Sequence, residues 1–155
     1  MESIASMEEE KQQKVLFRLE RDENGYPPDE WESLWAYGLG GDLFRIDNIP
    51  FFVRGISSED VVVVERTGDE LHFKGLVHPS TNSVFRLYVS DPTQVQSLRD
   101  ALRNLQVESE LSHIPELVAV EVPGTVAIEP VLKLFMSGVN EGRWEIQEGV
   151  LRHKV

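Results

Sequence analysis

The chain reads as an α+β protein: an N-terminal small antiparallel β-sheet or SH3-like barrel packed on a C-terminal ferredoxin-like βαββαβ half. Three observations predict this. Up to His78 the apolar residues alternate in short runs broken by Gly- and Asp-rich turns, as in a meander of β-strands. Beyond Ser83, strand-like alternation gives way twice to helical spacing, in the order β-α-β-β-α-β. Between the halves, His78-Pro79-Ser80-Thr81-Asn82-Ser83 breaks both periods with proline and small polar residues. The expected organisation is a disordered acidic leader over 1–13, an antiparallel β subdomain over 14–78 and a ferredoxin-like subdomain over 83–150, as two subdomains or one compact unit.

Residues 1–13 are polar and acidic and offer no apolar face to dock. They also lack the basic and apolar regions of a signal peptide. Val15, Phe17 and Leu19 alternate with Leu16, Arg18 and Glu20, which predicts a half-buried strand. Asp22-Glu23-Asn24-Gly25 is turn chemistry. After Tyr26-Pro27-Pro28, Asp29 is placed to cap a short helical turn that sets Trp31, Leu34 and Trp35 on one side, as core residues. Segments 34–39 and 43–46 flank Gly40-Gly41-Asp42 and read as a hairpin. The segment 47–65 follows, with an apolar cluster at 49–53 and a polar turn at 57–60. Its four-valine run at 61–64 reads as a strand covered on both faces. Phe51, Phe52, Val53 and these valines are expected to fasten the first half onto the second. Segments 61–66 and 70–77 make another hairpin around Thr67-Gly68-Asp69.

In the second half, Phe85, Leu87 and Val89 predict a strand. Asp91-Pro92 is a helix start, with the acid as cap and proline in the first turn. Val95, Leu98, Ala101, Leu102 and Leu105 mark the helix face. Val107 and Leu111 alternate with Glu108 and Glu110, and Val118, Val120 and Val122 predict the next strand. Ile128, Val131, Leu132, Phe135 and Val139 mark a second helix in which Pro130 is tolerable only at the start. Trp144-Glu145-Ile146-Gln147 supplies the last strand.

Composition narrows the function classes. The 155 residues carry no cysteine, which excludes disulfides, thiolate metal sites and a cysteine nucleophile. No window approaches the apolar length of a spanning helix, and a cytoplasmic protein is expected. The net charge of −12 disfavours phosphate backbones and anionic membranes, so neither nucleic acid nor membrane is expected as a partner. It suits either simple solubility or a basic protein partner approached by electrostatic steering.

A search for chemistry is negative. His72, His78, His113 and His153 are scattered, with no ligand spacing between them, so no metal is expected. There is no Gly-x-Ser-x-Gly elbow, and Gly38-Leu39-Gly40-Gly41 lacks the Lys-Ser/Thr of a phosphate loop. Carboxylates cluster around the first turn and on one later strand, in polar stretches that fit a solvated surface better than acid–base catalysis. No enzyme activity and no cofactor are expected.

Several segments together resemble a known family. They are Val15-Leu16-Phe17-Arg18-Leu19, Gly25-Tyr26-Pro27-Pro28, Glu30-Trp31-Glu32, Leu34-Trp35-Ala36, Asp47-Asn48-Ile49-Pro50-Phe51-Phe52, Arg54-Gly55, Asp60-Val61-Val62 and Gly142-Arg143-Trp144. From Lys14 to Trp144 the chain is similar to the bacterial domain of unknown function 4265, in which some members resemble immunity proteins of Rhs-type polymorphic toxins. The resemblance implies an immunity protein that neutralises a cognate toxin by covering its active site, the toxin being a basic protein such as an ADP-ribosyltransferase. The alternative is a small-molecule-binding regulatory module on a ferredoxin-like sheet. Under the first reading the expected partner-binding residues are Asp22, Glu23, Asp29, Glu30, Asp42, Glu108 and Glu110.

Overall fold

A computed structural model describes residues 12–155. The acidic leader expected over 1–13 therefore lies outside the described residues, except for Gln12 and Gln13, which open the first strand instead of ending a leader. Among the described residues, nine strands and two α-helices make a mixed α+β fold dominated by antiparallel sheets. The chain divides into two compact units, Met1–Ser80 and Thr81–Val155.

In the first unit β1 (Gln12–Arg18), β2 (Trp31–Gly40), β3 (Leu43–Ile46), β4 (Val61–Thr67) and β5 (Glu70–His78) close into a barrel in sequence order. Each consecutive pair is antiparallel. With five strands such a ring cannot close antiparallel, so the β1–β5 seam is parallel, at Val15↔Leu71 and Leu16↔His72. Alternation turns Val15 and Phe17, Leu34 and Ala36, Phe44 and Ile46, Val62 and Val64, and Leu71 inward, where all are buried. Each large apolar side chain buried there contributes roughly 1.5–3 kcal/mol. Phe17 stacks on Phe73 with ring centroids 4.7 Å apart.

Three expectations for this half are corrected. Residues 31–35 are not a helical turn: they begin the ten-residue strand β2, which pairs with β1 from Trp31 to Tyr37. Trp31 and Trp35 therefore face outward, 42% and 40% exposed, and only Leu34 of the three is core. The four-valine run is a strand covered on one face, with Val62 and Val64 buried and Val61 and Val63 half-buried.

Residues 47–60 form no strand. Their backbone is held by polar side chains from the barrel and from the segment itself. Glu32, on β2 and turned inward opposite Phe17, accepts the N–H groups of Phe51 at 2.7 Å, Phe52 at 3.1 Å and Val53 at 2.8 Å. The Asn48 side-chain oxygen accepts the Trp35 N–H at 2.7 Å. The carboxylate of Asp60, fully buried, accepts the Ser57 N–H, the Ser57 hydroxyl and the Ser80 N–H at 2.8–3.0 Å. Val53 and Ile56 are thereby held in the barrel core, with Phe52 packed against it.

In the second unit β6 (Ser83–Val89), β7 (Glu108–Leu111), β8 (Leu117–Val122) and β9 (Trp144–Val150) form one antiparallel sheet in the order β7-β8-β6-β9. A 3-10 turn over Pro92–Gln94 leads into α1 (Val95–Asn104), and α2 (Glu129–Asn140) precedes β9. The expected cap is present: the Asp91 carboxylate accepts from the Thr93 N–H and hydroxyl at 3.0 and 2.7 Å. Phe85, Leu87, Val118 and Val120 on one sheet face share a core with Val95, Leu98 and Leu102 of α1 and Val131 and Phe135 of α2. Both helices therefore cover the same face. Within β7 the alternation read from sequence holds at Ser109, which is inward and held by Arg99 Nε at 2.9 Å, whereas Leu111, of the same parity, is exposed. Gly138 sits inside α2, and a Cβ there would lie 1.9 Å from the Trp144 ring, whose indole N–H donates to the Phe135 carbonyl.

Candidate protein-docking face

Strand alternation in β1 and β2 sends every second side chain out of the barrel. β2 contributes Trp31, Ser33, Trp35 and Tyr37, and β1 contributes Gln12, Lys14, Leu16 and Arg18. The register sets Arg18 opposite Trp31, Leu16 opposite Ser33 and Lys14 opposite Trp35. Cations and rings meet accordingly. Lys14 Nζ lies 5.1 Å from the Trp35 ring, the Arg18 guanidinium 5.9 Å from Trp31, and the Arg45 guanidinium 5.6 Å from Tyr37. On the far side of β1, His72 meets Trp31 edge-on at 5.4 Å. An indole in water gains only a modest amount from such a cation, about 0.5–1 kcal/mol. Trp31 and Trp35, 42% and 40% exposed on a hydrogen-bonded barrel wall, form a rigid apolar surface.

The carboxylates expected to bind a partner fall in three places. Asp22, Glu23, Asp29 and Glu30 belong to the β1–β2 connection and are exposed, immediately before Trp31. Within that group Asp22 holds the turn, since its Oδ1 accepts the N–H groups of Asn24 and Tyr26. Arg21 braces the same loop from beneath through the carbonyls of Gly25, Pro27 and Pro28. Asp42 lies at the other end of β2, roughly 30 Å along the strand from Glu30, and accepts Arg66 Nε at 2.9 Å. Glu108, exposed, and Glu110, half-buried, are on β7 of the second unit. The structure thus groups four of the seven and separates the others.

The aromatic face was missed by reading Trp31, Leu34 and Trp35 with helical spacing. A period of two was equally available, but it demands that Glu32 point into the barrel. That is unfavourable until the N–H groups of 51–53, remote in sequence, are supplied.

One Ser–His pair invites a catalytic reading and does not support it. His153 Nε2 lies 2.9 and 3.1 Å from the carbonyls of Pro123 and Val126, so it carries the proton, and Nδ1 accepts from Ser83 Oγ at 2.7 Å. That hydroxyl is on a fully buried residue and also accepts the N–H groups of Arg152 and His153. It ties down the carboxyl-terminal segment. Among the described residues no three His, Asp or Glu side chains converge to hold a metal ion, and no helix is long and apolar enough to cross a membrane.

The architecture defines a mixed α+β protein made of a mainly antiparallel five-stranded barrel unit and a four-stranded sheet unit with two helices. The family model "Domain of unknown function (DUF4265)" matches residues 32–146, most of the chain, and the chain belongs to that family. The matched span begins at Glu32 and includes the whole segment that this carboxylate holds. A crystal structure of a hypothetical protein from Neisseria gonorrhoeae is similar in fold, with a TM-score of 0.73 at 19% identity over 91% of this chain and 96% of that one. No curated protein matches.

Proposed function

We propose that the chain is an immunity protein that binds a cognate antibacterial toxin of the Rhs or type VI secretion kind and covers its active site in the cytoplasm. The observation that carries the reading is the outward row Trp31, Trp35 and Tyr37, interleaved with Lys14, Arg18 and Arg45. Tryptophan, tyrosine and arginine are the residue types that concentrate binding energy at protein interfaces, where a few aromatic anchors surrounded by polar rim contacts suffice. Asp29 and Glu30 adjoin Trp31 in the chain, Asp22 and Glu23 belong to the same connection, and the four supply such a rim, which also steers a basic partner. We read the first unit as a small SH3-like barrel, for which its closed five-stranded meander speaks, and the second as ferredoxin-like. The β-α-β-β-α-β succession and the order β7-β8-β6-β9 support the second assignment. The barrel is a rigid support on which such a face keeps its geometry.

The experiment is co-expression with the toxin encoded by the adjacent gene. The toxin kills cells unless this protein is present, the two co-purify, and W31A/W35A weakens the complex about a thousandfold, as two hot-spot truncations of about 2 kcal/mol each require. A neighbouring product that is not toxic, or protection undiminished in W31A/W35A with no loss of affinity, overturns the proposal.

A further inference from the structure

The outward side chains of the barrel are not a sample of the molecule's charge. The whole chain has 15 Lys and Arg against 27 Asp and Glu. Yet β1 sends out Lys14 and Arg18 and no acid, β2 sends out no charge at all, β3 sends out Arg45, and exposed Lys74 follows His72 on β5. Acids resume at the borders. Asp29 and Glu30 precede Trp31, Glu59 lies 3.8 Å from Arg45, Glu70 lies 3.2 Å from His72, and Glu65 pairs across the ladder with His72. The result is a small cationic and aromatic island in an acidic surround. Within it Trp31 and Trp35 stand about 13 Å apart along β2, and the outward positions between them hold the short Ser33 and the half-buried Leu16.

We infer that this face seats a carboxylate-bearing, aliphatic segment of the protein partner. The inference rests on the protein-binding reading above and names the chemistry of the partner's contact segment. An aliphatic side chain enters the gap over Ser33 and Leu16 between the two indoles, and neighbouring carboxylates reach Lys14, Arg18 and Lys74. A nucleic-acid strand has the right charge for the cations but not the right extent: its phosphates continue past the island into Asp29 and Glu30 or into Glu65 and Glu70. A peptide segment with one or two acids ends inside it. Attraction of a basic partner by the net charge is compatible with this. Steering acts over the whole surface, whereas the island selects one acidic spot on the partner.

The test uses the full chain, the indole N–H resonances of the protein in heteronuclear NMR, and three probes: a short peptide alternating Glu and Leu, its Lys and Leu counterpart, and a short oligothymidylate. Of the three tryptophans, Trp144 is 3% exposed and serves as the internal reference. The Glu/Leu peptide shifts the Trp31 and Trp35 signals and leaves Trp144 in place, and K14E/R18E/K74E weakens that binding about tenfold or more. The Lys/Leu peptide and the oligothymidylate move neither signal at the same concentrations. Tighter binding by the oligothymidylate, equal binding by both peptides, no response to the Glu/Leu peptide, or unchanged affinity in K14E/R18E/K74E each overturns the inference. If the Glu/Leu peptide fails while the adjacent toxin is still neutralised, the inference falls and the immunity reading stands. If the peptide binds and no toxin is neutralised, the reverse holds.

Discussion

Glu32 is a carboxylate turned into the end of a barrel, 9% exposed and paired across the ladder with Phe17. Burial of an ionised carboxylate costs several kcal/mol unless hydrogen bonds replace its water. Three backbone N–H donors do so, and bonds to a charged acceptor are the stronger kind. The exchange is mutual, because residues 51–53 have no strand partner for those N–H groups. Glu32→Ala should therefore destabilise the protein by about 3 kcal/mol or more, since buried donors lose their acceptor at about 1–3 kcal/mol each. Glu32→Gln should cost less, about 1–2 kcal/mol: its oxygen can still serve Phe52 and Val53, while its amino group faces the Phe51 N–H. Urea midpoints of the three proteins check this, and equal losses in the two variants would refute the hydrogen-bond account. The same residue explains what could be read beforehand. The alternation of Val15, Phe17 and Leu19 was plain because every inward residue is apolar. That of β2 was hidden because one inward residue is charged and its partners lie nineteen to twenty-one positions away.

At the scale of elements, short-range chemistry was the most legible. The hairpin turn at Gly40-Gly41 appears with φ of +107° and +59°, values that glycine adopts without strain, and Arg66 fixes it through Asp42 and the Gly41 carbonyl. The Asp91-Pro92 start was equally plain and its cap carries a testable pH signature. Its bonds from Thr93 hold the Asp91 carboxyl below the usual value of 3.8. A group whose folded pKa is depressed stabilises fully above the unfolded value and loses that contribution as pH falls through the folded one. Asp91→Ala should lower the urea midpoint at pH 7, and the gap to wild type should narrow on descent to about pH 3. Asp91→Asn keeps an acceptor for Thr93 without titrating, so at pH 7 it should fall between the two. A gap to Asp91→Ala that is constant with pH would remove the charged cap from the account. The edge strand β7 was less legible. Its inward position is a serine satisfied by Arg99 of α1, a contact made only once the helix is packed.

At the scale of the whole molecule, the succession of strands and helices followed from periodicity everywhere but at 31–35, because strands keep a period of two and both helices keep helical spacing. The proposed docking face did not, because it is assembled from β1, β2, β3 and β5, and only the register brings Lys14 to Trp35 and Arg18 to Trp31. The net charge of −12 and this face should act on different steps of association. Long-range charge accelerates encounter, while buried anchors slow departure. Glu23, Asp29 and Glu30 are exposed in the connection that precedes Trp31, whose turn is held by the Asp22 carboxylate. Under the proposed function, the triple reversal E23K/D29K/E30K should therefore slow association with the toxin about tenfold at low salt and flatten its salt dependence, with dissociation nearly unchanged. W31A/W35A should do the opposite, speeding dissociation with little effect on association. Stopped-flow binding at two ionic strengths separates the two steps. If E23K/D29K/E30K associates as fast as the wild type at low salt, the acidic connection does not steer, and the anchors on β2 must find the partner without it.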